Sequence, residues 1–148
     1  DRAQSLPGIR LWLDEAQLPN TPAPLELDVA AGPWPGAQFD AVFSANTLHI
    51  MGWEEVEAFF RGLDAVLAGS AALAIYGPFN YDGAFTSDSN REFDASLRAR
   101  DPRMGIRDFE AVDALARNIG LQLIEDTAMP ANNRCLVWRR SPLQERLG

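Results

Sequence analysis

The chain has 148 residues, a formal net charge of −8 and 47% hydrophobic residues, the composition of a globular protein with enough chain for a substantial core. No apolar run approaches the roughly 20 residues that span a bilayer, and the acidic balance opposes binding to phosphate backbones, so neither a membrane nor a nucleic-acid partner is expected. Cys135 is the only cysteine, which rules out an intramolecular disulfide; with no signal-peptide pattern in the first residues, a reducing cytoplasm is the expected location.

In chain order, Ser5 can cap a helix running to about Ala16, with Pro7 in its first turn and Leu6, Ile9, Leu13 and Ala16 as a rough apolar stripe. Pro19 and Pro22 end it. Leu25–Val29 is a first strand candidate with Asp28 near its end, and a loop rich in Gly and Pro follows. Phe39–Phe43 is expected to be a short, fully buried strand, since Ala41, Val42 and Phe43 follow one another without polar alternation. Trp53–Leu67 repeats apolar residues at helical spacing, with Gly69 as its C′ residue. Ala71–Tyr76 is an apolar strand that runs into a polar and aromatic loop. Ser89 to Glu92 matches a capping box and opens a helix with Phe93 and Leu97 on one face. A further helix is expected over 108–118. Leu121–Asp126 and Cys135–Trp138 read as two strands joined by a tight turn at Met129–Asn133, hence antiparallel. The tail after Arg140 reads as poorly ordered. Strands alternating with helices predict one α/β domain over 1–148, three-layered and mostly parallel, with a C-terminal antiparallel hairpin.

The candidate chemistry gathers after the Phe39–Phe43 strand, where Ser44, Asn46, Thr47 and the only histidine, His49, follow in quick succession. Polar residues at the carboxyl end of a buried strand are how open α/β sheets build ligand sites. A histidine there can take a proton from a hydroxyl or amine; the plainer alternative is a histidine that orders its turn. Tyr76, Phe79, Asn80 and Tyr81 could roof a pocket or simply pack the core. Asn132 and Asn133 suit a turn for conformational reasons alone. One histidine, one distant cysteine and scattered carboxylates make no metal site. Ser44 lacks a nucleophile elbow, and Cys135 lies in an apolar strand.

The blocks Leu27-Asp28-Val29, Phe39 through Ile50, Tyr76-Gly77-Pro78-Phe79, Phe93 through Arg98, Asp101-Pro102 with Gly105 through Asp108, and Met129 through Asn133 resemble the domain-of-unknown-function 938 family, the methyltransferase-like protein 26 type, within the Rossmann-like class I S-adenosylmethionine-dependent methyltransferase fold. The resemblance spans about residues 5 to 140. It implies S-adenosylmethionine as cofactor, held by Asp28 and Val29 at the adenine and by Ser44 and Asn46 at the methionine end. It implies His49 as catalytic residue, and Thr47, Tyr76, Phe79, Asn80, Tyr81, Asn132 and Asn133 as substrate-binding residues. The Gly-rich loop and the ribose-binding acidic residue of that fold are absent from these 148 residues. The chain is therefore expected to be N-terminally truncated, lacking two strands that would lie between Leu25–Val29 and Phe39–Phe43. Ser44-Ala45-Asn46-Thr47 stands where base methylases carry Asn-Pro-Pro-Tyr, which favours a small-molecule methyl acceptor. The alternative is a non-catalytic α/β module that binds a protein partner or forms a homodimer through an exposed sheet edge.

Overall fold

A computed structural model describes residues 1–142; most of the expected tail, 141–148, lies outside them. The chain forms two compact units, Asp1–Pro35 and Gly36 onward.

The first unit carries α1 (Leu6–Ala16), with Pro7 in its first turn and Ser5 at the N-cap position. The Ser5 side chain makes no capping hydrogen bond. Leu25–Val29, expected as a strand, is not one. Pro22 and Pro24 remove donors just before it. Its main-chain pairing goes instead to the chain start: the Asp1 ammonium donates to Leu25 O at 2.9 Å, and Leu27 N donates to Asp1 O at 3.0 Å. The segment closes in a tight turn in which Gly32 N donates to Asp28 O at 2.7 Å. Gly32 takes φ +65 there, a conformation that suits glycine.

The second unit is built on a four-stranded sheet in the order β1-β2-β6-β5, where β1 is Phe39–Ala45, β2 Leu67–Gly77, β5 Leu121–Met129 and β6 Asn133–Arg140. β1 and β2 are parallel, and β6 is antiparallel to both β2 and β5. The reversed strand thus sits one place in from the edge, and β5 runs in the same direction as β2. Two short strands, β3 (Phe79–Asn80) and β4 (Arg107–Asp108), form a separate parallel pair. The helices are α2 (Trp53–Val66), α3 (Asp88–Arg100) and α4 (Phe109–Asn118).

One sheet face carries the core. Leu73 pairs with Trp138 and Ile75 with Leu136, and all four are fully buried together with Val56, Phe60 and Leu63 of α2 and Val112 and Ala116 of α4. Trp138 Nε1 donates to Asp113 Oδ1 at 2.9 Å, which ties α4 to β6. Three sequence expectations are corrected. β1 is not buried: as the edge strand it pairs on one side only, and Phe43 is 68% exposed. Gly69 does not cap α2, because the chain passes straight from Val66 into β2. The buried Arg140 guanidinium takes over that task, donating to Leu67 O at 2.7 Å and Asp64 O at 3.1 Å and so satisfying carbonyls that a left-handed glycine cap would otherwise serve. Ser87, not Ser89, caps α3, accepting from Asn90 N at 3.0 Å.

Replacing Trp138 by Phe leaves Asp113 without its buried donor, a loss of about 1–3 kcal/mol. The expected result is a lower urea midpoint with an unchanged slope; an unchanged midpoint would contradict the packing described.

Candidate functional site

β1, β2 and β5 end, and β6 begins, at one edge of the sheet, so Asn46, Pro78 and Asn133 meet there. The ladder between β1 and β2 runs one step past the strand: Asn46 N donates to Tyr76 O at 2.9 Å. Asn46 then turns the chain with φ +54, a left-handed conformation that asparagine tolerates better than most residues. Thr47 closes the turn, its Oγ1 donating to Ala45 O at 3.0 Å, and a short 3-10 turn over Leu48–Ile50 follows.

A cleft of about 350 Å³ opens at this end, lined by Asn46, Pro78, Ser89, Asn90, Phe93, Ala131, Asn132 and Asn133. Ala131 and Asn132, in the β5–β6 connection, also take left-handed angles, φ 60 and 59. Each such non-glycine residue costs on the order of 1 kcal/mol, and strain of this kind gathers at functional sites. The loop is fixed to α3: Asn132 Nδ2 donates to Ser89 Oγ at 3.1 Å, and Asn90 Nδ2 donates to Thr86 Oγ1 at 3.1 Å and to Asn132 O at 3.4 Å.

His49 is buried, with only 6% of its surface exposed, and meets Phe93 edge-on, the ring centroids 5.5 Å apart. A Cβ placed on Gly77 would lie 3.7 Å from His49 Nδ1 and 4.0 Å from Asn46 Oδ1. These are ordinary contact distances, so both side chains stand against the backbone at Gly77. Burial first, and the Arg107 charge second, push the His49 pKa below its usual 6.5. Arg107 holds the turn: Nε donates to Leu48 O at 3.3 Å, and Nη2 donates to Met51 O and, at 2.8 Å, to Arg103 O. Gly105 N adds a bond to His49 O at 3.0 Å.

Of the residues expected in a site, Asn46, Asn132 and Asn133 line the cleft, and His49 stands beside it behind Phe93. Ser44 pairs with Ile75 in the β1–β2 ladder, two residues before Asn46. The others have different places. Phe79 is 2% exposed and belongs to the core. Asn80 is buried, its Nδ2 donating to Ile106 O at 3.5 Å, and lies in a second cleft beside Trp53, Arg98 and Arg107. The Tyr81 hydroxyl donates to Asp126 Oδ2 at 2.8 Å and its ring stacks on Phe109; burial and that bond raise its pKa. Tyr76 faces the half-buried side of the sheet opposite Cys135. In the first unit, Asp28 Oδ1 accepts from Ala30 N and Ala31 N at 2.9 and 3.2 Å, and Val29 O accepts from Trp34 Nε1 at 3.2 Å. A larger cavity of about 420 Å³ in that unit is lined by Arg10, Asp14 and the Pro22–Pro24 loop and holds none of these residues.

Sequence reasoning missed Asn90, Ser89, Phe93 and the clamp at Arg107. Asn90 and Phe93 are three residues apart on one helix face, a spacing visible in the sequence. Phe93 was expected on one helix face with Leu97; it is 41% exposed, while Leu97 is buried. Among the described residues no group of three or more His, Cys, Asp or Glu could hold a metal, and no helix is long and apolar enough to cross a membrane.

This sheet, with its site end at the strand termini, is the methyltransferase-like α/β fold. Solved structures share it. An O-methyltransferase family protein from Burkholderia thailandensis matches with a TM-score of 0.84 and 16% identity over 97% of this chain and 43% of its own. An O-methyltransferase family 2 protein from Planctomyces limnophilus, in complex with apigenin, matches at 0.81 and 12% over 95% and 41%. The S-adenosylmethionine-dependent methyltransferase SibL matches at 0.76 and 20% over 95% and 42%. The chain thus spans about two fifths of these structures. It belongs to the family described as "Protein of unknown function (DUF938)", whose model matches residues 1–140.

His49 gives a unique imidazole signal, being the chain's single histidine. Its NMR titration should show a midpoint below 6.5, moving back up in Arg107→Gln. Because the folded pKa is the lower one, the unfolded chain takes the proton first. The stability from neutral His49 is complete above pH 6.5 and is lost as pH falls through the folded pKa. A midpoint at or above 6.5 would contradict the buried setting.

Proposed function

We propose that this chain is the acceptor-binding part of an S-adenosylmethionine-dependent methyltransferase acting on a small molecule. The observation that carries the reading is the cleft at the strand ends, where three left-handed residues and His49 converge. The fold shared with an S-adenosylmethionine-dependent enzyme supports the cofactor, and the structure with bound apigenin supports a small-molecule acceptor. Methyl transfer asks little covalent chemistry of a protein, which aligns the reactants and excludes water. S-adenosylmethionine, when bound, supplies a methyl group on a positively charged sulfur that leaves without further activation.

The residues fit that group in part. In the first unit, Asp28 Oδ2 and the Val29 N–H have no hydrogen-bond partner among the described residues. An acceptor and a donor side by side match the amine and ring nitrogen of an adenine edge. In the second unit, taken by itself, the Asn46 side chain is likewise without a hydrogen bond among the described residues. Thr47 keeps the turn in shape. His49, uncharged at neutral pH, would receive the proton that an acceptor hydroxyl or amine gives up. Phe79, in the core, and Asn80 and Tyr81, through their bonds to Ile106 O and Asp126, take a supporting role.

One observation favours a second reading, a module that self-associates: β1 is an edge strand with Phe39 and Phe43 exposed, and a bare edge invites pairing. Sedimentation of the chain at several concentrations separates the two. A monomer throughout counts against self-association.

The direct test is titration of labelled S-adenosylmethionine into the 148-residue chain and into the same chain with whatever its gene encodes upstream. Saturable binding in the longer protein, weakened at least about tenfold by Asp28→Ala, is the expected result. No saturable binding in either protein would end the methyltransferase reading.

A further inference from the structure

We infer that the cleft selects an uncharged small molecule that presents hydrogen-bond donors, read by the side-chain carbonyls of Asn90, Asn132 and Asn133. This rests on the small-molecule acceptor reading above. Each of the three amides has one end left over. Asn90 is only 4% exposed, yet it lines the cleft. Its nitrogen donates to Asn132 O. A main-chain carbonyl can only accept, so the nitrogen's place is fixed and the free end of the amide is Oδ1. Asn133 is fixed in the same way, its Nδ2 donating to Pro130 O at 3.1 Å. Asn132 spends its nitrogen on Ser89 Oγ at 3.1 Å. Among the described residues none of the three Oδ1 atoms accepts a hydrogen bond. The donors are used to build the wall, and the acceptors are left for the occupant.

Charge narrows the class further. None of the residues lining this cleft is ionisable to a charged form near neutral pH, in contrast to the second cleft with Arg98, Arg107 and Asp108. A carboxylate here would face carbonyl oxygens. An ammonium would find acceptors but no counter-charge, and an unpaired ion out of water is costly. Neutral hydroxyl or amide N–H groups satisfy the oxygens without that cost. Phe93 and Pro78 add flat apolar surface for the remainder of the molecule.

The test uses the 148-residue chain and three probes on one naphthalene frame: 1,6-dihydroxynaphthalene, its dimethyl ether and 6-hydroxy-1-naphthoate. Binding is followed by the NMR signals of the Asn90 and Asn133 side-chain amides and the Phe93 ring. The diol should give saturable shifts at all three. The ether and the carboxylate should bind at least about tenfold more weakly, because each leaves the carbonyls unpaired or repelled. Asn133→Leu, whose amide makes only a local bond, should weaken the diol by a similar factor while the spectrum stays native. The inference is overturned by an ether or naphthoate that binds as tightly as the diol, by a diol that shifts none of the three signals, or by an Asn133→Leu chain that binds it unchanged. No cofactor is present in this titration. A cleft that prefers the diol in a protein that never binds S-adenosylmethionine would therefore sink the methyltransferase reading alone, and the converse result would sink this one alone.

Discussion

Arg107 donates to the main-chain carbonyls of Leu48, Met51 and Arg103. The turn after β1 has no regular structure beyond one short 3-10 segment, so its carbonyls need partners from elsewhere. A guanidinium has a fixed fork of donors and can serve several at once. With Gly105 N on His49 O, it fastens the turn to the segment between α3 and β4. That segment is itself held by Asp94, whose Oδ1 accepts from Ile106 N at 2.8 Å and whose Oδ2 accepts from Arg98 Nε at 2.8 Å. The place of His49 beside Phe93 depends on this clamp. Burial of the imidazole and the nearby positive charge then follow from the same arrangement.

A second set of contacts shapes the other wall of the cleft. Ser87 starts α3 by accepting from Asn90 N, and Asn90 reaches from that first turn to the β5–β6 connection. Ala131 and Asn132 can stay in left-handed conformations because Asn133 and Ser89 tie the loop down on either side. The sheet supplies the direction: β1 and β2 end together, and β6 starts where they stop. Rigid strands thus carry short, strained connections, a division of labour common in α/β sites.

The sequence was most readable where one physical signal dominated. α2 followed from Trp53, Val56, Phe59, Phe60 and Leu63 at helical spacing, and the β5–β6 pair from two apolar runs about a short turn. Phe39–Phe43 was legible as a strand but not as an edge. An apolar run says that a segment prefers to be extended; it does not say what lies against it. Leu25–Val29 looked alike on paper, yet two prolines and a pairing with Asp1 gave it another fate. The helix cap by Arg140 is a contact across 73 residues and leaves no local trace. At the site, Asn46, His49, Asn132 and Asn133 stood out as clustered polar residues. Asn90 and Phe93 did not, because their role comes from the packing of α3 against a loop some forty residues away.

The turn after β1 is a fixed wall and not a mobile loop. Amide hydrogen exchange reads this directly at Asn46 N–H, bonded to Tyr76 O, and at Gly105 N–H, bonded to His49 O. Both should exchange as slowly as Leu73 N–H in the middle of β2, opening only with the whole unit. Exchange of both at the rate of an unprotected peptide, with Leu73 still protected, would contradict the account.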